Sequence, residues 1–222
     1  MTSGIKTCDR PCSCAAISHE AEFVVLTGGP GAGKTAVLEL VAKVLCEHVI
    51  VLPEAASILF GGGFLRLDSS SAKKAAQRAI YHVQAETETL VLEEKKWSMA
   101  LCDRGTLDGL AYWPGDESEF FSVLNTNREK EFLKYRAVIH LSAPTIESGY
   151  DFRNPVRIES AAAAAKIDTK LRDIWRTHPN YQVIESTFDF MEKIKQAVIL
   201  IQSLVPKCCK EHLEGVERWG IA

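Results

Sequence analysis

The chain has 222 residues, 46% of them apolar and 25% charged, with a formal net charge of −3. That length suits one domain with room for a full core. The charge carries no electrostatic footprint for a nucleic acid, and no apolar run reaches the roughly 18–20 residues that cross a bilayer.

The opening, MTSGIKTCDRPCSC, lacks the apolar stretch of a secretory signal, which points to the cytoplasm. Residues 1–20 read as a flexible leader and 205–222 as a tail around a domain at 21–204. Of the seven cysteines, Cys46 and Cys102 lie in apolar periodic segments and read as buried thiols in a reducing compartment. Cys8, Cys12 and Cys14 near the start and Cys208–Cys209 near the end do not have zinc-knuckle spacing.

In chain order, Phe23–Thr27 is a short apolar run before glycines, the pattern of a fully buried parallel strand. Val37, Leu38, Val41, Val44 and Leu45 follow at helical spacing. Val49–Leu52 is a second strand, ended by Pro53, and the three glycines at 61–63 suggest a loop. Residues 72–95 read as one long helix with Ala76, Ile80, Val83, Thr87 and Leu90 along its inner stripe. Ser98–Cys102 is a third strand, 116–134 a helical stretch and Ala137–Leu141 a fourth strand. An alanine-rich helix over 159–176, a fifth strand at Tyr181–Ile184 and a last helix over 189–204 complete the pattern. Such alternation predicts an α/β fold of three layers, a five-stranded parallel sheet covered on both faces. Right-handed crossovers bring every strand's C-terminal end to one edge, where ligands bind. The segments that matter are therefore 28–35, 53–54, 103–105, 142–157 and 185–190.

The first of these, Gly28 to Thr35, completes the pattern G-x-x-x-x-G-K-[ST] between a strand and a helix. Glycines let the main chain curl round an anion, and the inward amides and helix N-terminus favour negative charge. Gly28, Gly29, Pro30, Gly31, Ala32, Gly33, Lys34, Thr35 and Ala36 are the candidate nucleotide-binding residues. Lys34 is expected to neutralise the β- and γ-phosphates and the Thr35 hydroxyl to ligate magnesium. No Asn-Lys-x-Asp guanine-reading motif occurs, which favours ATP.

Magnesium needs a second ligand from a neighbouring strand end, and Asp103 is the candidate. The next residue is Arg104 rather than the glutamate that mechanical ATPases often carry. Arg104 suits an acceptor or a phosphate. Glu54, ending the second strand, could take a proton from an acceptor hydroxyl or simply favour a helix N-terminus. Residues 150–157 hold Arg153 and Arg157 in a polar segment that could close as a lid over the transferring phosphoryl group. Tyr112 and Trp113 could stack on an acceptor or belong to the core, and His140, inside a strand, reads as a core histidine.

Four separated phrases then carry a resemblance: LTGGPGAGKT at 26–35, PEAA at 53–56, CDRG at 102–105 with DGLAY at 108–112, and NPVRIE at 154–159. Over residues 22–204 the chain resembles the NadR-like P-loop family, often filed as an AAA-type ATPase domain, which includes the TRPL-translocation-defect proteins. The resemblance implies a fold like that of nucleoside and nucleotide kinases. It also implies Glu54 as a substrate-side carboxylate, Asp103–Arg104 as the strand-end acid–arginine pair, and Arg153 and Arg157 as the lid. Two functions follow. One is Mg-dependent phosphoryl transfer from ATP to a small nucleoside-like acceptor. The other is a nucleotide-dependent switch or slow NTPase acting on a protein partner or a membrane.

Overall fold

The computed structural model describes residues 18–143, 161–187 and 189–206. In chain order these form β1 (Glu22–Thr27), α1 (Lys34–Val44), β2 (Val49–Leu52), α2 (Ala55–Gly61), α3 (Ser70–Glu94) and β3 (Met99–Asp103). A 3-10 helix (Thr106–Tyr112), α4 (Glu117–Leu124), α5 (Arg128–Leu133), β4 (Tyr135–Leu141), α6 (Ala161–Trp175), β5 (Tyr181–Ile184) and α7 (Phe190–Leu204) follow. The sheet has five strands in the order β2-β3-β1-β4-β5, every pair parallel.

β1 lies at the centre of the sheet, and its alternating side chains divide the core. Val24 and Leu26 point to one face, where Val37, Leu38 and Val41 of α1 and Ile194, Val198 and Ile201 of α7 pack. Phe23 and Val25 point to the other, with Tyr81 and Val91 of α3, Leu107 and Ala111 of the 3-10 helix, and Leu171 and Trp175 of α6. The period of two in a strand sets this division. Burying each large apolar side chain on either face is worth about 1.5–3 kcal/mol. The result is the three-layer α/β fold that the alternation of strands and helices implies.

The helices begin and end on local chemistry. The Ser69 side chain accepts from the Ala72 amide at 3.3 Å and starts α3, and Asp189 accepts from Met191 and Glu192 to start α7. The expected helical stretch at 116–134 is two helices. Asn125, with φ 50°, closes α4, and the Asn127 side chain caps α5 by accepting from the Lys130 amide at 2.8 Å. The three glycines are not wholly a loop, because Gly61 is the last residue of α2.

The inner stripe of α3 also differs from the sequence reading. Ala76 is buried as read, but it is followed by Tyr81, Gln84, Glu88 and Val91, whereas Leu90 is 54% exposed. The helix is turned by about one residue so that Glu88 can accept from Gln84 and from the Tyr135 hydroxyl, both at 2.8 Å. A polar network outweighs one leucine here, since a buried carboxyl without partners would cost more than an exposed side chain.

Candidate functional site

β1 delivers the chain to the phosphate loop, and three glycines turn it. Gly28, Gly31 and Gly33 have φ of 137°, 81° and 95°, values that L side chains rarely adopt. A Cβ on Gly28 would lie 2.1 Å from the Leu141 carbonyl oxygen, so the turn is also pinned against β4. Gly33 begins α1 with no side-chain cap. The Val37 amide donates to the Gly33 carbonyl at 3.2 Å, but among the described residues the amides of Gly31, Gly33, Lys34, Thr35 and Ala36 have no protein acceptor. They form an open concavity of donors at a helix N-terminus, the arrangement that binds a polyphosphate. Lys34 folds back over it and donates from Nζ to the carbonyls of Gly28 (2.9 Å) and Gly29 (3.4 Å). Burial, with the nearby Arg104 charge, brings the Lys34 ammonium down to about 8. Thr35 is exposed, so its hydroxyl is open to a ligand.

Asp103 ends β3 directly beside Leu26 of β1. Burial pushes its carboxyl upward, Lys34 opposes this, and the Glu54 charge adds to it. Its buried Oδ1 has no hydrogen-bond partner. An orphaned carboxylate oxygen at the ligand edge, together with the open Thr35 hydroxyl, fits a divalent cation. Among the described residues no group of three or more His, Cys, Asp or Glu side chains is arranged to hold a metal.

Arg104 has φ 77°, and its amide still donates to the Leu26 carbonyl at 3.1 Å. Its Nε donates to Glu54 Oε1 at 2.6 Å, and its Nη1 to Asp108 Oδ2 at 3.2 Å and to the Gly28 carbonyl at 3.4 Å. Burial works against this guanidinium, but Tyr112, Asp108 and Glu54 together hold its pKa above the ordinary value. For Glu54, burial raises the carboxyl, and Arg104 and the Ser57 hydroxyl at 2.6 Å override it, leaving the group below its ordinary value. The acid at the end of β2 is thus joined to the phosphate loop through one arginine. Lys34, Glu54, Asp103 and Arg104 form one electrostatic cluster. Arg153 and Arg157, and with them the lid, lie outside the described residues.

Three buried residues that sequence reasoning passed over support this cluster. Asp108, in the 3-10 helix, accepts from the Thr27 hydroxyl and the Trp175 indole, both at 2.7 Å, as well as from Arg104. The phrase DGLAY contained it without giving it a task. Asp168 of α6 accepts from the Gly29 amide at 2.7 Å and pairs with His140 Nε2 at 3.1 Å. Lys193 of α7 is buried and donates to the carbonyls of Ala32 (2.8 Å) and Ser142 (2.5 Å). Its sequence, Glu-Lys-Ile-Lys, gives no sign that one lysine points inward. His140 is fully buried in β4, as a core histidine would be, yet it touches the loop through Asp168. The two aromatic candidates separate: Trp113 is buried with its ring 5.4 Å from that of Phe120, and Tyr112 lies 5.8 Å below the Arg104 guanidinium.

A cavity of about 710 Å³ opens beside this cluster. Pro30 of the phosphate loop, Glu54, Arg104 and Tyr112 line one part of it, and Tyr81 and Gln84 of α3 line another. Its size is that of a small-molecule site.

Residues 23–193 match the sequence profile of a family described as an AAA domain. The chain belongs to this AAA domain family. None of the curated proteins compared matches the chain. Among solved structures, a thymidylate kinase from Candida albicans superposes with a TM-score of 0.58 at 14% identity, over 87% of this chain and 94% of that one. A thymidylate kinase from Ehrlichia chaffeensis gives 0.53 at 17% identity, over 82% and 98%. At these identities the likeness is one of fold. The AAA domain described here is thus built on a nucleotide-kinase fold, and the residue after its strand-end acid is an arginine fastened to two carboxylates.

Proposed function

We propose that the chain binds ATP with magnesium and transfers the γ-phosphoryl group to a hydroxyl of a small nucleoside-like acceptor. The observation that carries this reading is the cavity beside the phosphate loop, with Glu54 and Arg104 in its wall. A compartment of that size beside the phosphate loop gives a small acceptor a place to bind. The NadR-like kinship, a cytoplasmic location and a domain over residues 21–204 belong to the same reading. Among the described residues no helix is long and apolar enough to cross a membrane.

The loop amides and Lys34 would hold the β- and γ-phosphates. Thr35 and Asp103 would hold magnesium, which supplies positive charge to the phosphate oxygens. Glu54 would accept the hydrogen bond of the acceptor hydroxyl and fix its oxygen in line with the γ-phosphorus. As the new O–P bond forms, the bond between the γ-phosphorus and the bridging oxygen of ADP breaks, and the hydroxyl proton passes to Glu54. A carboxylate kept ionised by Arg104 is a weak base. That suffices, because a loose phosphoryl transition state needs little help with the proton. Arg153 and Arg157 would close over the transferring group and exclude water.

The test is ADP release by the purified protein with Mg-ATP across a panel of nucleosides that includes nicotinamide riboside. At least one acceptor should raise turnover well above the rate with water. Equal rates across the whole panel would reject transfer to an acceptor and leave the slow NTPase or switch.

A further inference from the structure

The part of the cavity formed by α3 carries an amide whose orientation is fixed. Gln84 is 4% exposed and lines the cavity. Its Nε2 donates to Glu88 Oε1 at 2.8 Å. The same oxygen accepts from the Tyr135 hydroxyl at 2.8 Å and lies 4.0 Å from Cys102 Sγ. With these donors converging on it, Oε1 is an acceptor whether Glu88 is ionised or neutral, because a proton on the acid would sit on the other oxygen. Turning the Gln84 amide over would set two acceptor oxygens against each other in a buried place. The nitrogen is therefore committed to Glu88 and the oxygen is left over.

Among the described residues no donor reaches that Gln84 oxygen, and it is not one of the sealed, unpartnered polar atoms. With Gln84 in the cavity wall, that oxygen is the end of the amide left for a ligand. Two helical turns earlier, Gln77 lines the same cavity beside Gly109, where a Cβ would come within 3.1 Å of its amide oxygen. Among the described residues no partner fixes the Gln77 amide, so it can present either end. Ala76, Ile80, Ala111 and Ile167 supply apolar wall around the two amides. Fixed acceptor, adaptable amide and apolar walls together suit a flat heterocycle that offers an N–H.

We infer that Gln84, held in one orientation by Glu88, selects the acceptor, and that the acceptor is a nucleoside whose base presents an N–H donor to the Gln84 oxygen. The inference rests on the kinase reading above and adds the base class to it. Glu88 acts through Gln84 and is a positioning residue. The geometry disfavours bases whose corresponding edge is methylated or carries only acceptors, because a site built around a hydrogen bond rejects analogues that leave its polar group unpaired.

The test uses the full chain with Mg-ATP and matched pairs: uridine against 3-methyluridine, inosine against 1-methylinosine, and adenosine against N6,N6-dimethyladenosine. For the preferred base, kcat/KM should exceed that of its methylated partner by about tenfold or more. Gln84→Met should bring the two members of that pair within about threefold while the unfolding midpoint stays near wild type. Glu88→Gln frees the amide to turn over and should lower the same ratio, an effect that loss of packing alone would not produce. Equal kcat/KM within every pair on the wild-type protein overturns the inference and leaves the kinase reading standing. Absence of turnover with all the unmethylated nucleosides overturns the kinase reading, and the inference falls with it. The wild-type pairs decide the matter even if a variant fails to fold.

Discussion

Binding of Mg-ATP at alkaline pH is expected to draw a proton from solvent onto Lys34. In the ligand-free protein, burial and Arg104 bring this ammonium from the ordinary 10.5 down to about 8. A polyphosphate against it restores the charged form and raises its pKa again. At pH 8.5 a group with a value of about 8 is about one quarter protonated, so binding should take up about 0.75 proton. At pH 7 the same group is about nine-tenths protonated and the uptake falls to about 0.1. The assay is isothermal titration calorimetry at pH 8.5 in two buffers of different ionisation enthalpy, where the nucleotide's own phosphates are fully ionised. Lys34→Arg, permanently charged, should abolish the uptake. Lys193 is also brought down to about 8 by burial, so Lys193→Met is run in parallel and should keep the uptake. Apparent affinity should fall as pH rises above about 8. No buffer dependence at pH 8.5 would refute the placement of Lys34 on the phosphates. The same depression has a sign for folding. The unfolded chain binds more protons between about 8 and 10.5, so stability should climb across that window. The cost of burying the charge, about 3 kcal/mol by the gap between 10.5 and 8, is present in full below it.

Glu54→Gln keeps a hydrogen-bond acceptor but not the base, and should lower the rate of transfer to the best acceptor about tenfold and leave ATP affinity within about threefold, measured by steady-state kinetics and calorimetry; an unchanged rate would remove Glu54 from the reaction. Asp108→Ala strands the buried Thr27, Trp175 and Arg104 donors and should cost about 3–5 kcal/mol in urea unfolding. A cost below about 1 kcal/mol would mean that water replaces the carboxylate. Gly28→Ala sets a Cβ 2.1 Å from the Leu141 carbonyl at φ 137° and should give a chain that fails to fold or loses the β1–β4 register. A stable variant with wild-type ATP affinity would contradict the close approach.

Much of this was legible in the sequence because β1 and the phosphate loop obey local rules. A buried parallel strand, a glycine turn and a helix follow one another between Glu22 and Val44, and each declares itself without its neighbours. The five strands are short apolar runs with clear ends, and the central position of β1 places Gly28–Thr35 and Asp103 at one edge by topology alone. What escaped was set by distant partners. The turn of α3 depends on Glu88 meeting Tyr135, 47 residues away, and no helical period reveals that. Asp168 reaches Gly29 across 139 residues and Lys193 reaches Ala32 across 161. As single residues in amphipathic helices, both look like ordinary surface charges. Residues 106–112 lack the length and periodicity of an α-helix, so the 3-10 helix that carries Asp108 gave no local signal.

The central claim is that open amides and one ammonium at 28–35 hold a nucleoside triphosphate. Calorimetric titration of Mg-ATP into wild type and Lys34→Ala tests it most directly. Wild type should bind, and the variant should bind about a hundredfold more weakly while unfolding at the same urea midpoint or a higher one, since a costly buried charge is gone. Equal affinities in the two folded proteins would contradict the account.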